Sequence, residues 1–472
     1  MSRILIKNGT LITDQESRQV DLLIEGEKIV AIEAVSAKNV ETVVDASGKF
    51  ILPGGIDPHT HFDLPMFGTV SSDDHYTGTK AAAFGGTTTV IDFVSLDFPT
   101  LHESVEAWRE KAAKAAVDYT AHMNLTRFDS NIAAEIPRLP EWGIASLKVF
   151  TAYNNRLRLD DGSIFKALQI ARQHDMLVLI HAENGDVIEV LTTQALAAGH
   201  TEPIWHARTR PAWGAVEATL RACALAAQAD APIYIVHMNA AGEVDMLRYA
   251  RERGVRAMGE TCPQYLFFTE EDLKRPDGAK WICSPPMRTS ADNNRLWQGL
   301  MDGTLQTVGT DHCPFFFDGT KPILYEGKPV AIPGKELGKD DFTKIPNGLP
   351  GVQDRLPVLW TAGVVSGKLT PQQFVALTST NPAKIFGLYP RKGALLPGSD
   401  ADIVIWDPNK KVKYGVALSH QRTDYNLYEG WELTGYPEKV FLRGKLIVDG
   451  ERWLGKSGDG QFLPRRSSGE FL

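Results

Sequence analysis

The sequence predicts an α/β protein in which a (β/α)8 barrel is joined to a small β-sandwich built from both ends of the chain. Two observations support this prediction. Short apolar, β-branched runs alternate with helix-length segments through the middle of the chain, at the spacing of βα units. Chemically active side chains also stand at or just after the ends of several runs, where a barrel of parallel strands places its active site.

The middle of the chain contains enough strand-like runs to close a barrel. The segments between them, such as residues 101–118 and 242–254, repeat apolar residues at helical spacing with charges on the opposite face. A barrel of about 250 residues needs eight βα units. The predicted strands are IDPHTHF, TTTVIDFVS, YTAHMNL, ASLKVFTA, MLVLIHAE, APIYIVHMN, VRAMGETCP and TLQTVGTDHCP.

Both ends of the chain show a different sequence pattern, in which short predicted strands are separated by turns such as Asn-Gly and Glu-Gly. We therefore expect them to pair into one small domain. A long Gly- and Pro-rich stretch, Pro314 to Pro350, follows the last barrel strand and is typical of a lid or binding loop. The predicted divisions are residues 1–52 and 397–455 for the sandwich, 53–396 for the barrel and 456–472 for a C-terminal tail.

Composition excludes several classes of function. The 472 residues are 43% hydrophobic and 23% charged, as in a protein with a large core. A net charge of -8 without a basic stripe argues against nucleic acid as a partner. No apolar run approaches the roughly 18 residues of a membrane span, and the four cysteines lack C-x-x-C spacing. We expect a cytoplasmic protein that has no membrane partner.

The residues at the strand ends form a pattern typical of a metal centre. Two histidines in D-P-H-T-H are two positions apart, so on an extended strand both imidazoles point to the same face. Imidazole and carboxylate ligands with open positions favour Zn²⁺, although manganese, cobalt or iron accept the same donors. The predicted metal ligands are His59, His61, Lys148, His181, His237 and Asp311.

Lys148 is the unusual member of this set, because an ammonium inside the apolar run ASLKVF is disfavoured by desolvation. One interpretation is a lysine whose buried stem lets the amine reach the barrel mouth. The other is a neutral amine that reacts with carbon dioxide to give an anionic carbamate. Such a carbamate could bridge two divalent ions roughly 3.5–4 Å apart, the spacing of two-metal hydrolases. The second interpretation predicts hydrolytic chemistry.

Longer segments resemble the cyclic amidohydrolases, and within them the dihydropyrimidinase and hydantoinase group. The resemblance covers nearly the whole chain and implies hydrolysis of a cyclic amide or imide. It also implies a binuclear centre, a homotetramer, and docking of the tail after about residue 450 on a neighbouring subunit. The matching segments are D-P-H-T-H-F-D-L-P, S-L-K-V-F-T-A-Y, I-H-A-E-N-G, G-E-T-C-P-Q-Y-L, S-P-P-M-R, G-T-D-H-C-P-F and D-F-T-K-I-P-N-G.

The resemblance also implies individual roles. His59, His61 and Asp311 would hold one ion, His181 and His237 the other, and Lys148 would be the carboxylated lysine between them. Tyr153 would hydrogen-bond the substrate carbonyl and its tetrahedral intermediate. Main-chain groups at Ser284 and Asn347 would bind the ring, and His206 is the most plausible supporting histidine. Each role is carried over from that group to the position of this sequence that matches its motif.

The ligand set suggests a mechanism in which metal-activated water attacks the ring amide carbon while Asp311 acts as general base. The expected product is an N-carbamoyl amino acid. Asp63 stands where dihydroorotases have an arginine for a substrate carboxylate, which disfavours an anionic ring. G-L-P-G-V-Q at 348–353 resembles allantoinases, so allantoin remains an alternative substrate. A non-catalytic scaffold related to dihydropyrimidinases is the alternative from another class.

Overall fold

The centre of the molecule is a sheet of parallel strands, to which both chain ends add a second sheet. The computed structural model describes residues 2–33, 40–66 and 68–470. In chain order the described strands are β1 (Arg3–Ile12), β2 (Ser17–Glu25), β3 (Lys28–Ile32), β4 (Thr42–Asp45), β5 (Phe50–Pro53), β6 (Gly55–Asp57), β7 (Pro65–Met66), β8 (Thr69–Val70), β9 (Thr87–Val94), β10 (Asp118–Asn124), β11 (Ser146–Phe150), β12 (Leu177–His181), β13 (Ile233–Ile235), β14 (Ala257–Thr261), β15 (Thr307–Val308), β16 (Ile323–Tyr325), β17 (Lys328–Val330), β18 (Ile403–Lys413), β19 (Glu432–Leu442), β20 (Lys445–Asp449) and β21 (Arg452–Trp453).

Helices fill the connections between the central strands. The described α-helices are α1 (His75–Phe84), α2 (Leu101–Ala112), α3 (Ser130–Glu135), α4 (Asp161–Gln173), α5 (Gly185–Ala197), α6 (Ile204–Arg208), α7 (Ala212–Ala229), α8 (Ala241–Arg251), α9 (Pro263–Phe267), α10 (Ser290–Met301), α11 (Arg355–Leu359), α12 (Pro371–Val375) and α13 (Asn381–Ile385). Short 3-10 helices cover Ile136–Trp142, Glu270–Lys274, Gly278–Trp281, Lys335–Gly338, Phe342–Lys344 and Val416–Leu418, and π-helical turns cover Trp360–Val365 and Ala376–Thr380.

The predicted barrel is confirmed. Eight strands pair in the order β6, β9, β10, β11, β12, β13, β14 and β15 among the described residues, and their ladders are parallel. A parallel bridge between Thr60 and His312, which follow the first and last of these strands, joins the two ends of the sheet. All carboxyl ends therefore face one mouth, which is where the candidate residues were predicted to meet.

Local sequence explains these elements. Every residue of β9 and of β12 is buried, as expected for strands that are covered on both faces. Helix α2 begins at a capping box in which Thr100 and Glu103 satisfy each other's backbone N–H groups. Its inward face then repeats at helical spacing, with Leu101, Val105, Trp108 and Ala112 buried.

Both chain ends build the second sheet, as predicted. Its described strands run in the order β21, β20, β19, β18, β5, β1, β2 and β3, and β4 pairs with β1. The antiparallel ladder between β18 and β5 is the seam where the C-terminal strands meet the N-terminal ones. The residue at which barrel and β domain divide stays a prediction.

Two other predicted segments have defined positions. The stretch from 314 to 350 contains the hairpin β16–β17 and two 3-10 helices. The tail runs along the barrel wall, where Leu463 N donates to Tyr119 O and Arg465 N donates to Gly143 O. Phe471 and Leu472 lie outside the described residues. Among the described helices, none combines the length and the apolar character required to span a bilayer.

Candidate metal centre and active site

The residues of the predicted site line one cavity at the barrel mouth. Its volume is about 220 Å³. Lys148 lies within β11 and His181 ends β12, while the other metal-ligand candidates follow β6, β13 and β15. Parallel strands bring these ends together although the sequence separates them by up to about half its length. The cavity is lined by His59, His61, Lys148, Tyr153, His181, His237, Ser284, Asp311 and Asn347, together with neighbouring side chains.

The donor atoms of these residues face one another at short range. Asp311 Oδ1 lies 3.2 Å from His59 Nε2 and 3.0 Å from His61 Nε2. On the other side of the cavity, His181 Nδ1 lies 2.9 Å from His237 Nε2. Ligand atoms of His59, His237 and Asp311 all lie within 4.8 Å of one another. This arrangement of nitrogen and oxygen donors around a small space fits divalent metal ions.

Two glutamates that the sequence analysis missed orient the histidines. Glu260 Oε1 lies 2.7 Å from His59 Nδ1, and Glu183 Oε2 lies 2.8 Å from His181 Nε2. When an imidazole donates its outer N–H to a carboxylate, its other nitrogen presents a lone pair to the metal. Glu260 is fully buried in β14, whose sequence is AMGET. A carboxylate within a buried strand is the sequence feature that could have identified this residue.

Burial and neighbouring charges set the protonation of the site. Burial lowers the pKa of His237 far below its usual value, which keeps its imidazole neutral. His59 is also buried, yet Glu260 and Asp311 raise its pKa to about 9. Burial disfavours the Asp311 carboxylate, but the two nearby imidazoles of His59 and His61 hold its pKa well below the usual range. Asp311 is therefore anionic.

Lys148 is 2% exposed and lies between two aromatic rings. Its Nζ is 5.2 Å from the centre of the Phe93 ring and 5.4 Å from that of Phe150. Burial lowers the pKa of Lys148 to about 7, although Asp311 and Glu260 act in the opposite direction. A substantial fraction of neutral amine is therefore present near neutral pH, and this is the form that reacts with carbon dioxide.

Three residues at the cavity have left-handed backbone conformations. The φ angles are 67° at Tyr153, 40° at His237 and 53° at Asp311. Side chains other than glycine adopt these angles at a cost of about 1–3 kcal/mol, and such residues concentrate at functional sites. Here the turn of the chain directs each side chain into the cavity wall just after its strand.

The predicted ring-binding residues are joined to one another. Asn347 Nδ2 donates to Ser284 Oγ at 3.1 Å. His206 Nε2 lies 2.8 Å from the Cys283 carbonyl oxygen and 3.1 Å from Ser284 Oγ, so this histidine supports the loop. Burial raises the pKa of Tyr153 to about 12, which keeps its hydroxyl protonated as a donor.

Two further sequence positions point away from the cavity. Asp63 Oδ2 accepts hydrogen bonds from the backbone and from the ring of His75, so its carboxylate is directed into the protein. Arg158 pairs with Asp186 on the surface. Arg156, by contrast, lines the cavity. Within the polar N-N-R-L-R-L segment, Arg158 therefore lies on the surface and Arg156 lies at the mouth.

Comparison with known proteins decides the family. The amidohydrolase family model matches residues 50–447, which include the barrel and the strands β5, β18 and β19 of the second sheet. The chain belongs to the amidohydrolase family. The resemblance to cyclic amidohydrolases described from the sequence is thereby confirmed.

Relatives place this amidohydrolase in the group of hydantoinases and dihydropyrimidinases. It is 43% identical to D-hydantoinase from Geobacillus stearothermophilus over 99% of this chain and 98% of the relative. The solved dihydropyrimidinase from Brevibacillus agri NCHU1002 is 46% identical, with a TM-score of 0.94 over 99% of each chain. L-Hydantoinase from Arthrobacter aurescens is more distant, at 28% identity and a TM-score of 0.87 over 98% of this chain and 100% of that chain.

Membership of the amidohydrolase family implies an enzyme with a divalent metal centre. The cavity fits that expectation on its own chemistry, because two imidazole nitrogens, His181 Nδ1 and His237 Nε2, lie 2.9 Å apart beside Asp311 and the other donors. Without a cation, at most one proton can lie between these two nitrogens. A divalent cation held by these two histidines would accept a lone pair from each imidazole.

Proposed function

We propose that this amidohydrolase hydrolyses the ring amide bond of 5-substituted hydantoins and dihydropyrimidines to N-carbamoyl amino acids. The strongest support is that the cluster of histidines, Lys148 and Asp311 lines the same cavity as Tyr153 and the two proposed ring-binding loops. The relatives named D-hydantoinase, at 43% identity over nearly the full chain, support D-5-substituted hydantoins as the preferred hydantoins.

The proposal includes two metal ions per chain, most consistent with Zn²⁺. His59, His61 and Asp311 would hold one ion, and His181 and His237 the other. Lys148, as a carbamate derived from carbon dioxide, would lie between them, and its lowered pKa of about 7 supports this modification. When bound, the ions supply a water of lowered pKa and polarise the substrate carbonyl.

The residues of the chain would then move the protons. Asp311 would accept the proton of the attacking water and return it to the ring nitrogen as the carbon–nitrogen bond breaks. Water is thus added across one ring amide, giving a carboxylate and a free ureido group. Tyr153, protonated because burial raises its pKa to about 12, would donate to the developing oxyanion.

The two loops would orient the ring before these transfers. Main-chain groups at Ser284 and Asn347 would hydrogen-bond the imide or amide edge, and the Asn347–Ser284 contact of 3.1 Å supports a preformed edge. Because this recognition uses the backbone, side-chain substitutions at these positions should affect turnover less than substitutions of the cluster.

We also propose a homotetramer in the cytoplasm. Trp213, near the start of helix α7, is 80% exposed. Val190, within helix α5, is 56% exposed. The tetramer is what the resemblance to the hydantoinase group implies, and these exposed apolar side chains are candidate positions for the contact between subunits. The four cysteines are free and buried, which fits a reducing compartment.

The decisive experiment is ring opening by protein reconstituted with zinc and bicarbonate. Dihydrouracil, both enantiomers of a 5-substituted hydantoin, and allantoin would be assayed in parallel by absorbance and product analysis. Turnover of the first two classes without allantoin is expected. Turnover of allantoin alone would replace the proposal with an allantoinase, and no turnover together with no bound metal would support the scaffold alternative.

The metal arrangement has a separate test. Lys148→Met should reduce the metal content measured by inductively coupled plasma mass spectrometry from two ions per chain to one or none, because the bridging anion is lost. Lys166→Met, at an exposed position of α4, is the matched control and should retain both ions. Two ions in Lys148→Met would contradict the proposed bridge.

A further inference from the structure

Lys335, in the stretch between Pro314 and Pro350, is a second lysine buried near the mouth. It is 1% exposed, although an ammonium removed from water has a large desolvation cost. Burial lowers the pKa of Lys335 to about 7. The cavity lining does not include Lys335, so within the described structure this side chain acts on the site only through its neighbours.

The contacts of Lys335 join two loops. Its Nζ donates to the carbonyl oxygens of Ile282 and Pro346, each at 3.0 Å. Ile282 precedes Ser284 by two residues, and Pro346 directly precedes Asn347. The two carbonyl groups therefore belong to the two segments that form the proposed ring-binding edge.

The same segments also contact each other directly. Gly348 N donates to Ile282 O at 3.1 Å, so this carbonyl accepts from both Gly348 and Lys335. A Cβ at Gly348 would lie 2.2 Å from the Cys313 carbonyl oxygen, which shows how closely the backbones pack. Lys335 N donates to Phe316 O at 2.7 Å and thus anchors the lysine to the start of the long stretch.

We propose that Lys335 is a positioning residue for substrate binding. Its side-chain amino group holds the main chain at Ser284 and Asn347 at the spacing that the ring requires. The inference rests on the proposed function, because it concerns the ring-binding edge of that reaction. In this low-dielectric setting two hydrogen bonds from one amino group restrain the loops more strongly than they would in water.

The position of Lys335 also separates this role from a direct catalytic one. Both of its side-chain acceptors are main-chain carbonyl oxygens, and neither belongs to a metal-ligand candidate. Loss of the amino group should therefore weaken the binding of the ring and leave the metal cluster and the proton transfers intact. The Michaelis constant is the quantity that should change.

The test compares steady-state kinetics of metal-reconstituted Lys335→Met with wild type on a 5-substituted hydantoin. We expect KM to rise by about tenfold or more, since two buried hydrogen bonds are lost. The kcat and the metal content should stay near wild type. Lys335→Arg retains charge and donors and should restore much of the KM, while Lys339→Met, exposed in the same stretch, is the matched control.

An unchanged KM in Lys335→Met, or equal KM values for the Met and Arg variants, would overturn the inference. If Lys335→Met does not fold, Lys335→Gln decides, because its side chain is one bond shorter and cannot reach both carbonyl groups. An unchanged KM there also overturns it. Wild-type protein that opens no cyclic amide would instead refute the proposed function, so the two failures are distinguishable.

Discussion

The two ends of the barrel use buried charge in opposite ways. At the amino end, Lys392 Nζ lies 2.5 Å from carboxylate oxygens of Asp118 and Asp402 and 3.0 Å from Asp400. Arg443 also pairs with Asp118. At the carboxyl end, Lys148 lies between aromatic rings, and imidazole nitrogens face each other. At the amino end the charges pair with one another in a closed ion network, whereas at the carboxyl end the nitrogen and oxygen donors line a cavity, as an open cluster.

This difference shows what buried polar groups contribute at each end. In the closed network every charge has an opposite partner, so removing one member leaves uncompensated charge and destabilises the fold. At the mouth, imidazole nitrogens and a carboxylate converge on a small space, and such a donor set has the capacity to bind cations. Variants at the mouth should therefore change activity more than stability, and variants at the amino end should do the reverse.

The largest expected effect is at the mouth. Asp311→Asn should lower kcat by about 100- to 10 000-fold, because it removes the carboxylate that is proposed to accept and return the proton. The denaturation midpoint should remain near that of wild type. Asp161→Asn, at an exposed position of α4, is the control. Near-wild-type turnover by Asp311→Asn with both metals bound would disprove the proton transfer.

The next effect is at the amino end. Lys392→Met should reduce the free energy of unfolding by about 3–5 kcal/mol, because three carboxylates lose their common cation. The kcat of the folded fraction should not change. Urea denaturation followed by circular dichroism measures the first quantity, with exposed Lys411→Met as the control. A loss of kcat without a loss of stability would contradict the contrast between the two ends.

Arg465 tests whether the two ends are independent. Its guanidinium is 1% exposed and donates to Thr120 Oγ1 and Ser146 Oγ, and Ser146 contacts His122. Arg465→Met should cost about 1–3 kcal/mol of unfolding free energy, because buried acceptors lose their donor. Exposed Arg466→Met is the control. A lowered kcat in Arg465→Met would mean that the tail affects the mouth through His122.

The smallest effect is acid sensitivity of the closed network. Burial alone would raise the pKa of Asp400, but Lys392 and Lys28 hold it at about 2. Because this folded-state pKa lies below the unfolded value of about 3.9, the stabilisation is present above that value. It is lost as the pH falls toward 2.

Denaturation midpoints between pH 5 and pH 2 check this expectation. Wild type should lose on the order of 1 kcal/mol more than Asp400→Asn over that range, once solvent screening is allowed for. Parallel curves for the two proteins would show that another group determines the acid sensitivity.

The barrel and the gathering of the site could be predicted from the sequence. Apolar runs such as LVLIH in β12 identify parallel strands, and His181 stands at the end of that run. All parallel strands of the barrel end at one mouth, so residues that stand at strand ends in the sequence are predicted to be neighbours in space. The family resemblance added Tyr153, Ser284 and Asn347, and all three line the cavity.

Only the tertiary structure decided which groups pair across the chain. Glu260 contacts His59 across 201 positions, and Lys335 joins loops at Ile282 and Pro346. No local pattern specifies such contacts, because they depend on where loops and strands meet after folding. The sequence by itself thus determined the strands and the side chains at their ends, which local periodicity encodes. The packing of distant segments decided how those side chains are oriented and which buried charges are paired.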